Sequence, residues 1–142
     1  MVSTATIRTN AWDEVYTYLQ TTNAISTNNI FSAFNSTLAN DKGYPLVIIR
    51  PPRVSFEKEF DIQGSSMKSS VQMEIEVFHT SSQNVKAVSD EVTDKLLAGR
   101  ATFASANIFD LQVDTGEYDV YSEGRKKIHR ISFEVRFNYF GN

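Results

Sequence analysis

Apolar residues recur at helical spacing in the first part of this chain and at strand spacing in most of the rest, so the order of elements can be read before any chemistry. Trp12, Val15, Tyr16 and Leu19 fall at i, i+3, i+4 and i+7. That stripe predicts a helix over about 10–21, with Asn10 as N-cap and Asp13 and Glu14 placed well for the helix dipole. A weaker pattern of Ile30, Phe31, Phe34 and Leu38 predicts a short second helix, capped by Asn28 or Asn29 and ended by the turn-rich 40–43. Beyond Leu46 the period drops to two. Leu46–Ile49 is aliphatic, Pro51 and Pro52 interrupt any ladder, and Val54, Phe56 and Phe60 alternate with Ser55, Glu57 and Glu59, which predicts one kinked edge strand. The Gly/Ser-rich segment 64–70 reads as a loop. Next, Val71, Met73, Ile75 and Val77 face one way while Gln72, Glu74 and Glu76 face the other, giving a strand with one buried and one wet face. The two strands form a hairpin with a projecting tip over 61–70.

The clearest helix follows, with Val85, Val88, Val92 and Leu96 on one side, Ser81 or Ser82 as cap and Gly99 as the stop, spanning about 82–98. A closing hairpin pairs Phe109, Leu111 and Val113 with the strongest strand of the chain, Ile131, Phe133, Val135, Phe137 and Tyr139. Pairing Val113 with Phe133, Leu111 with Val135 and Phe109 with Phe137 puts all six in one core layer. Past Thr115 and Gly116 the apolar positions change phase, which a bulge at Gly116 explains and which sends Tyr118, Val120 and Ile128 to the face opposite Ile131 and Phe133. Those three are either ordinary surface residues of a twisted tip or a face buried against a second subunit. The expected fold is α+β: one domain over 1–142, a mostly antiparallel four-stranded sheet with helices on one face, a flexible lead over 1–9 and the projecting loop.

Composition narrows the class without naming a function. At 142 residues the chain fits one domain of the usual size of roughly 100–200 residues and needs no covalent staple. There is no cysteine, so thiol chemistry, disulfides and thiolate metal sites are excluded. Residues 1–9 hold no apolar run of the signal-peptide kind and the longest aliphatic stretch is Leu46–Ile49, so neither a secretory leader nor a membrane span is expected. The two histidines, His79 and His129, have no second imidazole at ligand spacing, and Glu76 and His79 sit on opposite faces of their strand. There is no G-x-S-x-G, no P-loop and no G-x-G-x-x-G. The S-x-x-K pattern occurs twice, at Ser55 with Lys58 and Ser65 with Lys68, away from any helix start. Neither an enzyme nor a bound cofactor is expected.

Charge carries more. Net charge is only −3, yet residues 108–124 hold Asp110, Asp114, Glu117, Asp119 and Glu123 without a base, and 125–130 hold Arg125, Lys126, Lys127 and Arg130 without an acid. These arms either pair across the hairpin or meet complementary charges on a neighbouring chain. The run 130–137 interleaves bases and aromatics, but strand alternation separates Phe133 and Phe137 from Arg130 and Arg136, so stacking and phosphate contact cannot act together. Sequence-independent DNA binding through 125–130 stays a competing reading.

With its order of elements and best points at 46–50, 71–77, 85–96 and 128–139, the chain resembles the tail terminator, or tail-completion, proteins that join head to tail in long-tailed bacteriophages. The resemblance implies a structural virion protein, assembled in the host cytoplasm and located in the tail or neck. Such a protein forms a ring, typically a hexamer, that caps the tail tube, ends its polymerisation and offers a docking face to the head connector. Its partners would be itself, the tail tube protein, a head connector or neck protein, and genomic DNA passing through the bore without specific binding. The candidate subunit-interface residues are Tyr118, Val120, Ile128, Asp119, Glu123, Arg125, Lys126, Lys127 and Arg130. Glu57, Glu59, Asp61 and Lys68 are candidates for the bore or the tube contact. A head-side neck protein, a small DNA-binding module and a small hydrolase are the alternatives.

Overall fold

Two long strands form the spine of the computed structural model, which describes residues 4–21, 29–32, 43–60, 67–114 and 116–141. β4 (Met67–His79) pairs antiparallel with β7 (Lys126–Gly141) along its whole length, with Met73 opposite Val135 and Ile75 opposite Phe133. Strict alternation puts Val71, Met73, Ile75 and Val77 on the same face as Phe133, Val135, Phe137 and Tyr139, and all eight are buried. Each outer edge of the spine carries two short strands end to end. β2 (Leu46–Ile49) and β3 (Arg53–Phe60) both pair with β4, while β5 (Ile108–Asp114) and β6 (Tyr118–Glu123) both pair with β7. β1 (Ile30–Phe31) adds a parallel neighbour to β2.

The fold is therefore a single α+β domain, as expected, but its sheet is mixed and among the described residues has seven strands rather than four. Pro51 and Pro52 divide the expected kinked strand into two, and only the Arg50 N–H, donating to the Glu74 carbonyl at 2.9 Å, continues the ladder across the gap. Ile30 and Phe31 form β1 instead of starting a helix; the rest of that expected helix lies outside the described residues. The expected loop over 64–70 is strand from Met67 onward, and 61–66 lie outside the described residues.

Among the described residues three helices cover the apolar face. α1 (Thr4–Thr21) begins before Asn10, so Asn10 is not a cap and the expected lead is helical from Thr4. Its core stripe is Ile7, Ala11, Val15 and Leu19, and the Asn10 amide donates to the Tyr139 hydroxyl at 3.3 Å. α2 (Ser82–Ala98) matches expectation: Val85, Val88, Val92 and Leu96 are buried, and the Ser81 side chain accepts from the Asn84 N–H. Gly99 has an ordinary φ of −85°, and the chain continues at once into α3 (Arg100–Ser105). What holds a glycine there is space, because a Cβ would stand 2.5 Å from the Tyr18 ring.

The opposite face is not uniformly wet. At one end Leu46, Ile48, Phe78 and Ile128 form a second buried cluster with Phe31, Tyr44 and Tyr121 packed on it, and Glu76 beside it is 1% exposed. This corrects the one-wet-face reading of β4.

Two bulges set the edge formed by β5 and β6. In β5, Asp110 takes a left-handed φ of 56°, so Phe109 pairs with Asn138 and turns outward while Leu111 stays buried. The pairing is then Val113 with Val135, which corrects the expected register and the six-residue layer. The second bulge falls where Gly116 predicts it: between the Asp114–Glu134 and Tyr118–Ile131 pairs the register steps by one residue.

Candidate subunit interface

The second bulge decides which way the ribbon of β6 and β7 presents its side chains. It places Tyr118 opposite Ile131 and Val120 opposite His129, on the helix side of the sheet, and Tyr121 opposite Ile128 on the other side. The expected trio is thus split. Ile128 is 1% exposed inside the second cluster, whereas Tyr118 and Val120 are 45% and 44% exposed on the helix side, the same side as Ile131 rather than the opposite one. The spacing showed the phase change but not which phase faces the helices.

Tyr118 and Val120 border a small polar group at the end of the spine. His79 faces His129 across the ladder, the Tyr118 hydroxyl lies 2.6 Å from His129 Nδ1, and the Lys86 ammonium of α2 stands 5.8 Å from the Tyr118 ring centroid. His79 Nδ1 accepts from the Thr80 N–H at 2.8 Å. Burial, and then the facing His129, hold His79 below its ordinary pKa of 6.5. Because the folded value lies below the unfolded one, the unfolded chain binds more protons between them, and stability must fall as pH drops through about 6.5. Urea midpoints taken between about pH 5 and 8 are expected to show that decline, and His79→Gln to flatten it. An unchanged slope in the variant would assign the decline to other groups.

On the open face, the charges of the ribbon are mostly committed within the chain. Glu76 of β4 receives Arg50 Nε at 2.5 Å and Arg130 Nη1 at 2.9 Å, and Arg130 Nη2 reaches Asp119 at 3.0 Å. Arg136 bonds Asp114 at 2.7 Å, and the Asn138 amide donates to Asp110 at 3.0 Å. Three acids of the acidic arm are therefore held by β7, which is the in-chain pairing the alternation allowed. Phe133 and Phe137 are core and Arg130 and Arg136 lie on the other face, so the separation that argued against a nucleic-acid platform is present.

The basic arm divides at its turn. Gly124, with φ of 63°, and Arg125 make a two-residue turn between Glu123 and Lys126, the form that needs glycine first. Lys126, Lys127 and Ile128 lie beyond the last residue of β4, since His129 already faces His79. Arg125, Lys126 and Lys127 are exposed, and among the described residues no ion pair engages them. The side chain of Glu123 lies outside the described set. So do those of Glu57 and Glu59 on β3 and Lys68 on β4, and Asp61 is outside it altogether. Among the described residues no group of three or more potential metal ligands exists, and no helix is long and apolar enough to cross a membrane.

No family model matches this chain, and no curated protein does. Among solved structures, it is similar to a chain of the virion of a native gene transfer agent particle, with a TM-score of 0.60 and 15% identity over 89% of this chain and 92% of that one. At that identity the likeness is one of fold.

Proposed function

We propose that this chain is a non-enzymatic structural protein of a phage-like virion that closes into a ring, of six copies by resemblance, on the end of the tail tube. There it stops tube growth and presents a surface to the head connector. The observation that carries the reading is the end-to-end match of fold with a virion chain, 89% of one and 92% of the other. The described residues fit a part that works by shape: they expose Tyr118 and Val120 beside the basic turn of Arg125, Lys126 and Lys127 at the end of the sheet. A ring closed by rotation needs two different complementary patches on each copy, and this exposed ribbon end is suited to be one of them.

Native mass spectrometry and sedimentation at micromolar concentration are expected to show a closed oligomer of a single size. Electron microscopy of mixtures with tail tubes should then place it at tube ends. A monomer at every concentration reached would sink the ring, and binding to a head-side connector without tube binding would favour a neck protein instead.

A further inference from the structure

The basic turn of the ribbon, Arg125 with Lys126 and Lys127, has a counterpart elsewhere on the same chain. On α2, Ala87, Asp90, Asp94 and Leu97 follow one another at three- and four-residue spacing, forming one exposed stripe on the side away from Val85, Val88, Val92 and Leu96. Asp90 and Asp94 have no ion-pair partner among the described residues, and Leu97 is a large apolar side chain left 36% exposed. The stripe thus combines two exposed carboxylates with an apolar end. The ribbon end combines Arg125, Lys126 and Lys127 with exposed Tyr118 and Val120.

The two patches cannot meet within one chain. α2 starts just after β4 ends and packs back over β4, β7 and β5, so Asp94, twelve residues along from Ser82, lies roughly 18 Å down the axis from the end where the ribbon projects. The basic turn points past the opposite end of the same helix. Two complementary patches at separate places on one subunit are what a head-to-tail contact requires, whereas a two-fold pair would have to bring both patches of each copy into the same interface at once. We propose that the ribbon turn, Arg125 with Lys126 and Lys127, seats on the Asp90 and Asp94 stripe of α2 in a second copy of this chain. The inference rests on the ring reading above and names the contact that closes the ring.

Charge exchange and directed cross-linking test it together. Reversing the turn (R125E/K126E/K127E) or the stripe (D90K/D94K) is expected to raise the concentration at which the oligomer half-dissociates by about tenfold or more, and combining the two sets should recover most of that loss. All five side chains are exposed, so circular dichroism should be unchanged in every variant. Since the chain has no cysteine, K126C/D94C should form a disulfide-linked ladder under mild oxidation. A mixture of the two single-cysteine variants should stop at the dimer, and neither alone should link.

If the wild type forms its ring and both reversals form it at the same concentration, the contact lies elsewhere and the ring reading survives. If the wild type never assembles, both fall. If the turn reversal abolishes salt-sensitive retention of DNA while leaving assembly intact, the turn serves DNA and the assignment is overturned.

Discussion

Gly116→Ala is expected to cost about 3 kcal/mol or more and to detach β6 from the spine, an effect far beyond that of an ordinary added methyl. A Cβ at this position would stand 1.2 Å from the Ser132 carbonyl oxygen, 2.2 Å from its carbon and 2.7 Å from the Phe133 Cα. All three are backbone atoms of β7, so no rotamer change can make room. Either the bulge unwinds, or β6 withdraws and the bond from the Ser132 N–H to the Glu117 carbonyl, 2.9 Å, is lost with it. Gly43 and Gly124 make the contrast. Each has a positive φ, but a Cβ added at either would meet nothing within 4 Å, so alanine there brings strain and no collision. Urea unfolding gives the cost, and amide exchange over 118–123 shows where it falls. A wild-type midpoint in Gly116→Ala would mean that the register step between β5 and β6 is placed wrongly, and with it the outward direction of Tyr118 and Val120.

That same step marks the limit of what periodicity can tell. Alternation along 71–77 and 131–139 is unbroken, so β4 and β7 were legible; α2 was legible because its apolar stripe comes with a serine cap. A bulge, however, inverts every later position at once. Gly116 signalled the second one, but Asp110 gave no sign of the first, because aspartate tolerates a left-handed φ without requiring it. Hence Phe109, read as core, lies outside. β1 is two residues long, too short for any period, and Ile30 with Phe31 fits a helix as well as a strand. The start of α1 was missed because Ile7 and Ala11 continue the stripe through a residue as small as alanine. In the candidate interface, the residue types were legible and their directions were not: Ile128 looked like Tyr118 and Val120 in sequence, and only the pairing separates them.

The second cluster had a signal of its own. Phe78 ends a row otherwise made of Gln72, Glu74 and Glu76, and an aromatic at the end of a wet face needs a cover, which Leu46, Ile48 and Ile128 supply. Covering that end also buries Glu76, and a buried carboxylate must be paired.

Glu76→Ala should consequently destabilise the chain by about 2–3 kcal/mol. The carboxylate side chain is 2% exposed and holds two guanidiniums, one from the end of β2 and one from β7, and the second of these holds Asp119 of β6. Four neighbouring strands are tied through one side chain. Among the described residues, removing it leaves Arg50 without an ion-pair partner and Arg130 with Asp119 alone. The loss stays below the roughly 3–5 kcal/mol of a fully buried pair, because the Arg50 and Arg130 side chains keep 41% and 29% of their exposure and water can take over. Asp119→Ala, by contrast, removes a half-exposed partner and should cost no more than about 1 kcal/mol. Urea midpoints of the two variants give the comparison, and amide exchange should quicken in both β2 and β6 for Glu76→Ala but in β6 alone for Asp119→Ala. Equal midpoints would show that Glu76 is a passenger of the second cluster. A large difference would show that the ribbon carrying Tyr118, Val120 and the basic turn is held at its angle by charge as well as by its ladder, so that loosening Glu76 should weaken assembly without touching the contact surface itself.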